Sequence, residues 1–247
     1  MKRSKALAYA AFCIAAVLSL PRAEEAGRLS IVEGKVSLLR SGSEKWVPAR
    51  PNMGLKTGDQ LYTREESFAE VTYVTGAVLR MDENTKITLT AASKTGTKTK
   101  SGVGNVWVNM RKLVRTGGKK FELATPTALA SIRGTKFNAT TNPDSSTDIA
   151  VFDGTVAVGP SGDAGERKGE EKRPDGLAPG EVPGPEEVPG PYEVTLEEWR
   201  SIIAGQRIRI RGDGKFSQEA FDVTEARAKD AFVKKNAALD KKLEETE

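Results

Sequence analysis

The sequence predicts an all-β fold: a roll or sandwich of about twelve short strands, then a Pro/Gly-rich linker and a C-terminal α-helix. Three observations carry this. Apolar/polar alternations recur from Gly27 to Gly159 at roughly 8–12-residue spacing with turn signals between them, the mark of a sandwich or barrel rather than of βαβ units. Seven of the twelve prolines fall between Pro160 and Pro191. One stretch alone, Ser217–Glu247, sustains a one-sided helical stripe against a charged face.

The chain begins with Lys2, Arg3 and Lys5, followed by an apolar run from Ala6 to Leu20. A basic start and a short apolar core form a signal-peptide pattern (residues 1–23). As a helix the run reaches about 22 Å, short of a hydrocarbon core of ~30 Å. Cleavage after Ala23 is expected, leaving no stable membrane span. Pro21 is a poor residue at the −3 position, so retention as an anchor is the alternative. Cys13 is the single cysteine, and the bulky Phe12 before it does not fit a lipoprotein box. The mature chain then has no disulfide and relies on its core.

Residues 27–159 form the β domain. Ile31 and Val32 open it, and Gly34 turns the chain into Val36-Ser37-Leu38. A loop with Trp46 and Pro48 precedes Leu55, the Gly58-Asp59 turn and a strand ending at Thr63. Ala69, Val71 and Tyr73 share one strand face, and Thr75-Gly76 returns the chain through Val78–Met81. Ile87 and Leu89 make a further run. Ala92–Gly104 is a polar insertion read as a solvated hairpin tip; its Lys94, Lys98 and Lys100, without an acidic residue among them, are a candidate basic contact loop for an anionic envelope polymer or partner. Val106–Val108 and Leu113-Val114 resume the core pattern.

Phe121–Val158 repeats short alternations: Phe121/Leu123, Ala128–Ile132, Phe137/Ala139, Ile149/Val151 and Val156/Val158. The Asp153-Gly154 pair between the last two predicts a type I′ hairpin. Pro126 donates no hydrogen bond and belongs at a strand start or edge. Arg133, inside an apolar strand, needs a partner if buried, and Asp59 and Asp82 are candidates.

The formal charge of +4 comes from Lys2, Arg3, Lys5 and Arg22, and the rest of the chain balances at 34 basic and 34 acidic residues. Gly27–Gly159 holds 19 basic and 12 acidic residues, Pro160–Thr195 4 and 9. A mildly basic domain beside an acidic linker lacks the clustered basic face that nucleic acid requires. The chain has no histidine. Ser-His-Asp and Cys-His nucleophile systems and His-containing zinc sites are thereby excluded. No cofactor, metal site or paired-acid signature is expected, and Asp59, Asp82 and Asp153 all sit in turn motifs that explain them.

The features taken in order resemble a known family. Gly34-Lys35-Val36, Trp46, Leu55 with Gly58-Asp59-Gln60-Leu61-Tyr62-Thr63, and Val74-Thr75-Gly76 come first. Gly104-Asn105-Val106, Phe121 with Thr125-Pro126, Ile132-Arg133-Gly134-Thr135-Lys136-Phe137 and Gly154-Thr155-Val156 follow. This order resembles the FecR domain, an extracytoplasmic module of Gram-negative bacteria. The resemblance implies a FecR-like β-roll and marks Gly58, Asp59, Thr63, Thr125, Pro126, Arg133, Gly134, Thr135 and Phe137 as family-motif residues, structural or binding. Known FecR-like transducers link an outer-membrane iron-carrier receptor to a cytoplasmic sigma factor. Only five residues precede the apolar run here, so the expectation is a module lacking the cytoplasmic regulatory arm.

Residues 160–193, with Val-Pro-Gly-Pro at 182–185 and again at 188–191, read as an extended, disordered linker. Residues 194–212 read as a closing segment: Leu196–Trp199 as a short helix start and Gly205–Ile210 as a strand that returns to the sheet. Residues 217–247 read as an amphipathic helix capped by Ser217, with Phe221, Ala228, Phe232, Leu239 and Leu243 as its apolar stripe. Such a helix is suited to packing on the β domain or pairing with a second copy. The functional expectation is a non-enzymatic periplasmic or secreted protein that binds a protein or polysaccharide partner. The alternative is an accessory in sigma-factor or TonB-type signal transduction.

Overall fold

Two β-sheets share one continuous apolar core in the computed structural model, which describes residues 25–110, 120–132, 134–161, 194–195 and 199–245. The expected signal peptide, Leu113-Val114, Arg133, residues 162–193 of the expected linker and the Leu196–Glu198 part of the expected helix start lie outside the described residues.

The first sheet has ten strands in the order β16 (Val194–Thr195), β19 (Lys215–Ala220), β18 (Gln206–Ile210), β14 (Thr147–Asp153), β13 (Lys136–Thr141), β10 (Gly104–Met110), β7 (Ala77–Met81), β6 (Phe68–Tyr73), β1 (Gly27–Glu33), β4 (Gly54–Leu55). The second has nine: β17 (Arg200–Ile203), β15 (Thr155–Pro160), β12 (Ala128–Ile132), β11 (Lys120–Ala124), β9 (Gly96–Ser101), β8 (Lys86–Ala92), β5 (Gln60–Thr63), β2 (Val36–Leu39), β3 (Trp46–Pro48). The fold is thus all-β with a C-terminal helical layer, as expected, but the strands exceed twelve. Strands of two or three residues, such as β3, β4 and β16, carry too few side chains to show alternation. Where alternation exists, it places the core: Ala69, Val71 and Tyr73 face inward, as do Phe137, Ala139, Ile149, Val151, Val156 and Val158.

The chain crosses repeatedly between the sheets, and it does so at residues with positive φ. Gly34 (φ 70°) carries β1 to β2, Gly104 (131°) β9 to β10, Gly154 (83°) β14 to β15, and Gly205 (82°) β17 to β18. The Asp153-Gly154 expectation is corrected here. β14 and β15 belong to different sheets, and only Gly154 of the pair has positive φ, so the dipeptide makes a sheet-switching corner and no type I′ hairpin. A Cβ on Gly154 would stand 2.8 Å from the Gly134 carbonyl oxygen.

The polar insertion is also corrected: within Ala92–Gly104, Gly96–Ser101 form strand β9, paired antiparallel with β8 and parallel with β11. Its inward Thr97, Thr99 and Ser101 are buried. Their hydroxyls are matched across the core, Thr99 with the Tyr73 phenol at 2.8 Å and Thr97 with Thr75 at 3.1 Å. Burial pushes the Tyr73 phenol well above its ordinary pKa range, so it stays a neutral hydrogen-bonding group.

The closing segment returns to both sheets. β15 is held by β12 and β17, and β16 by β19, so both described flanks of residues 162–193 are paired, while β18 returns to β14. The expected helix from Ser217 is replaced at its start by β19, the hairpin partner of β18. Helix α1 spans Val223–Lys229, capped by Asp222, whose carboxylate accepts from the Thr224 and Glu225 backbone N–H groups. Asp230 is extended (φ −86°, ψ 119°) and breaks the helix; α2 spans Ala231–Glu245. This break resets the helical phase. Ala228 is exposed, and the buried face of α2 is Phe232, Val233, Asn236 and Asp240.

Candidate functional site

The described family-motif residues make turn, corner and core contacts, while Arg133 lies outside the described residues. Asp59 is buried, and its carboxylate accepts from Arg40 Nη1 (2.8 Å), Ser41 N (2.9 Å) and Lys56 N (2.9 Å), closing the Gly58 turn. The Thr63 hydroxyl donates to the Asp82 carbonyl at 2.5 Å and accepts from Thr85 N at 3.1 Å. Thr125 accepts from Ala128 N at 3.0 Å and braces the β11–β12 turn that contains Pro126. Thr135 donates to the Thr155 carbonyl at 2.8 Å beside the Gly134 corner, and Phe137 is core. These residues spread over both sheets and do not gather around one cavity. Lys94 is exposed in the β8–β9 turn; Lys98 and Lys100 lie on the outward side of β9, with Lys98 3.9 Å from Glu122.

Polar groups converge instead on the outer face of the first sheet, beneath the helices. Arg80 on β7 is fully buried there. Its Nε donates to Glu70 at 2.6 Å and its Nη1 to Asp240 on α2 at 2.6 Å. Trp107 Nε1 donates to the other Asp240 oxygen at 3.1 Å, and Asn236 lies 3.4 Å from Arg80 Nη1. Aromatic packing surrounds this cluster: Phe68 meets Phe232 edge-on at 6.3 Å, and Trp107 lies 4.9 Å from Phe152. Two surface pairs, Lys235–Glu33 and Lys136–Glu244, tie the remaining length of α2 to the sheet.

Beside this contact, α1 and strands β13, β14 and β18 enclose an open groove of about 390 Å³. Ala150 and Phe152 floor it, and Phe221 closes one end, 5.3 Å from Phe152 with the Arg207 guanidinium 5.3 Å from its ring. Asp148 and Arg209 form a two-point pair at 2.6 and 3.1 Å, which pushes the arginine pKa upward. Asp222 caps α1 and its two backbone hydrogen bonds hold its carboxyl below the usual range. Asp230 caps α2 through Val233 N at 3.0 Å. Each of these carboxylates is already committed, so the groove offers hydrogen-bonding and aromatic surface for contact. Nearby, burial raises the Asp82 carboxyl, with backbone and Asn105 hydrogen bonds opposing it and the charges of Glu83 and Asp230 adding to it.

Sequence reasoning missed this cluster, although a signal existed. Glu70 and Arg80 stand symmetrically about the Thr75-Gly76 turn and are direct cross-strand partners in the β6–β7 hairpin. Among the described residues no group of three or more His, Cys, Asp or Glu is placed to hold a metal ion, and no helix is long and apolar enough to cross a membrane.

Comparison with known proteins follows from this fold. Two crystal structures of a candidate anti-sigma factor from Parabacteroides distasonis resemble the chain at TM-scores of 0.47 and 0.46, each at 16% identity. The matches cover 68% and 69% of this chain, which spans 63% and 64% of the length of that protein. No curated relative matches. The family model described as FecR protein matches residues 59–157, from the Asp59 tie on the edge of β5 to the middle of β15. The quoted motif residues from Asp59 to Val156 lie within the matched span, while Gly34, Trp46, Leu55 and Gly58 precede it, so residues 59–157 are similar to the FecR family.

Proposed function

We propose that the chain is an exported, non-enzymatic envelope protein that acts in extracytoplasmic signal transduction, its FecR domain binding a protein partner. The FecR match over residues 59–157 carries this reading. The basic start and apolar run at residues 2–20 support export to the periplasm. The groove beside α1, rimmed by Arg207, Arg209 and Glu225, supplies mixed-charge surface of the kind protein partners use. Deleting the gene in native cells is expected to change the transcription of a defined gene set. An unchanged transcriptome under envelope and nutrient stress sinks the signalling reading. Cell fractionation with intact-mass analysis is expected to yield a soluble chain starting at Glu24, whereas a full-length chain in the membrane fraction would replace the periplasmic protein with an anchored one.

A second reading, binding of an envelope polysaccharide, is favoured by the outward placement of Lys98 and Lys100 on β9. Pull-down from envelope extracts tests it; recovery of no polymer counts against it.

A further inference from the structure

The helical layer lies on the first sheet. The outer face of the second sheet has no helix on it among the described residues. Alternation from the buried residues shows which side chains stand on that open face. Thr97, Thr99 and Ser101 point inward, so Lys98 and Lys100 point out. The register extends the row. Lys100 lies opposite Thr88, Lys98 opposite Glu122, Lys120 opposite Gly96, and Lys86 opposite Tyr62. The strands therefore present Lys86, Lys98, Lys100 and Lys120 outward against one carboxylate, Glu122.

Aromatic rings border this lysine field on both sides. Trp46 on the edge strand β3 is 38% exposed, packs edge-on to Tyr62 at 6.5 Å and has the Lys86 ammonium 5.7 Å from its ring. Trp199, just ahead of the opposite edge strand β17, is 54% exposed. Its ring rests on Gly159 of β15, where any Cβ would stand 2.8 Å from the ring carbons. The Trp199 ring lies on β15 and the Trp46 ring beside β5 and β8, so β12, β11 and β9 lie between the two tryptophans.

We infer that this face binds an anionic polysaccharide laid across the strands, with the lysines meeting its carboxylate or sulfate groups and the tryptophans packing on sugar rings at either side. The inference deepens the polysaccharide reading above and rests on it. Three features select this occupant. The charge is predominantly positive, four lysines against Glu122, and sits on the adjacent strands β8, β9 and β11. Tryptophan offers an apolar ring face together with an N–H donor. The surface between offers hydrogen-bonding side chains, with Gln60, Thr88 and Ser131 outward and partly exposed. A lipid surface calls for a protruding apolar ridge, which these residues do not form.

The test uses the full mature chain with polygalacturonate, dextran sulfate, neutral dextran, poly-glutamate and phosphatidylglycerol vesicles. Expected are binding to polygalacturonate or dextran sulfate that weakens steeply with salt, and none to neutral dextran. Combined Lys98→Ala, Lys100→Ala and Lys120→Ala should weaken binding about tenfold or more by removing three released-counterion contacts, with thermal unfolding unchanged. Trp199→Ala should weaken it about threefold while leaving the salt dependence intact, the share expected of one ring contact. Equal binding by the triple-lysine variant, capture by vesicles but not polymers, or poly-glutamate binding as tight as that of the glycans with no effect of Trp199→Ala overturns the inference. If polymer binding fails while gene deletion still alters transcription, the inference falls and the signalling reading stands.

Discussion

Arg80 shows how far a single residue can decide the architecture of a face. A guanidinium buried between Glu70 and Asp240 has left water entirely, and its value lies in the two carboxylates it satisfies. Arg80→Ala leaves both acids buried without a cation and is expected to cost about 3–5 kcal/mol in urea unfolding, with loss of α2 helicity preceding loss of sheet signal. A smaller effect, or simultaneous loss, would mean that α2 is held mainly by Phe232 and Val233. Asp82 makes the opposite case. Its folded-state pKa is raised, chiefly by burial, so the charged carboxylate costs stability above that raised value, and the cost vanishes as pH falls to the ordinary carboxylate range. Asp82→Asn is therefore expected to raise the urea midpoint at pH 7 and to lose that gain near pH 4. A gain that persists at low pH would refute burial of charge as the cause. Of these residues, Asp59 was readable as a turn residue because its motif surrounds it in sequence. Asp240 was not, because its partner stands 160 positions away.

At the scale of elements, the sequence showed strands where apolar side chains alternate and hid them where hydroxyls do the inward packing. β9 is the example: Thr97 and Thr99 look solvent-seeking until Tyr73 and Thr75 are found opposite them. The corners were visible as glycines, but their role was not. A local turn signal cannot tell a hairpin from a crossing, since both need φ > 0 and the difference lies in which sheet receives the next strand. Two glycines separate the effects. Gly76 has φ +84° and open space around its missing Cβ; Gly104 has φ +131°, and a Cβ would stand 2.6 Å from the Thr85 Cα. Gly76→Ala is expected to cost about 1 kcal/mol from backbone strain alone, and Gly104→Ala roughly 3 kcal/mol or more. Equal costs in chemical denaturation would show that the β9–β10 corner relaxes freely. The helix boundary was misplaced for a similar reason. Ser217 has the chemistry of a cap, but the pairing of Arg209 with Ser217 across the β18–β19 hairpin claims its backbone first.

For the whole molecule, composition and motif order were enough to find the FecR-like span and to place it inside a β-rich chain with a helical end. They could not show that, among the described residues, one outer face carries helices and the other none, because that asymmetry arises from the topology. The flanks of residues 162–193 add a further property. β15 ends at Pro160, the chain next pairs as β16 with β19 on the first sheet, and β17 then pairs back onto β15, Val158 opposite Arg200, so strand pairing holds the chain on both sides of residues 162–193. Replacing residues 164–191 by a short Gly/Ser tether is expected to leave the unfolding midpoint nearly unchanged, since each halving of a closed loop is worth only about 0.6 kcal/mol. A large loss would show that the segment packs on the sheets. If the expectation holds, the protein contains an insertion port: a place where a fluorescent reporter, an affinity handle or a second folded module can be spliced into the middle of the chain while both faces of the sandwich keep their form.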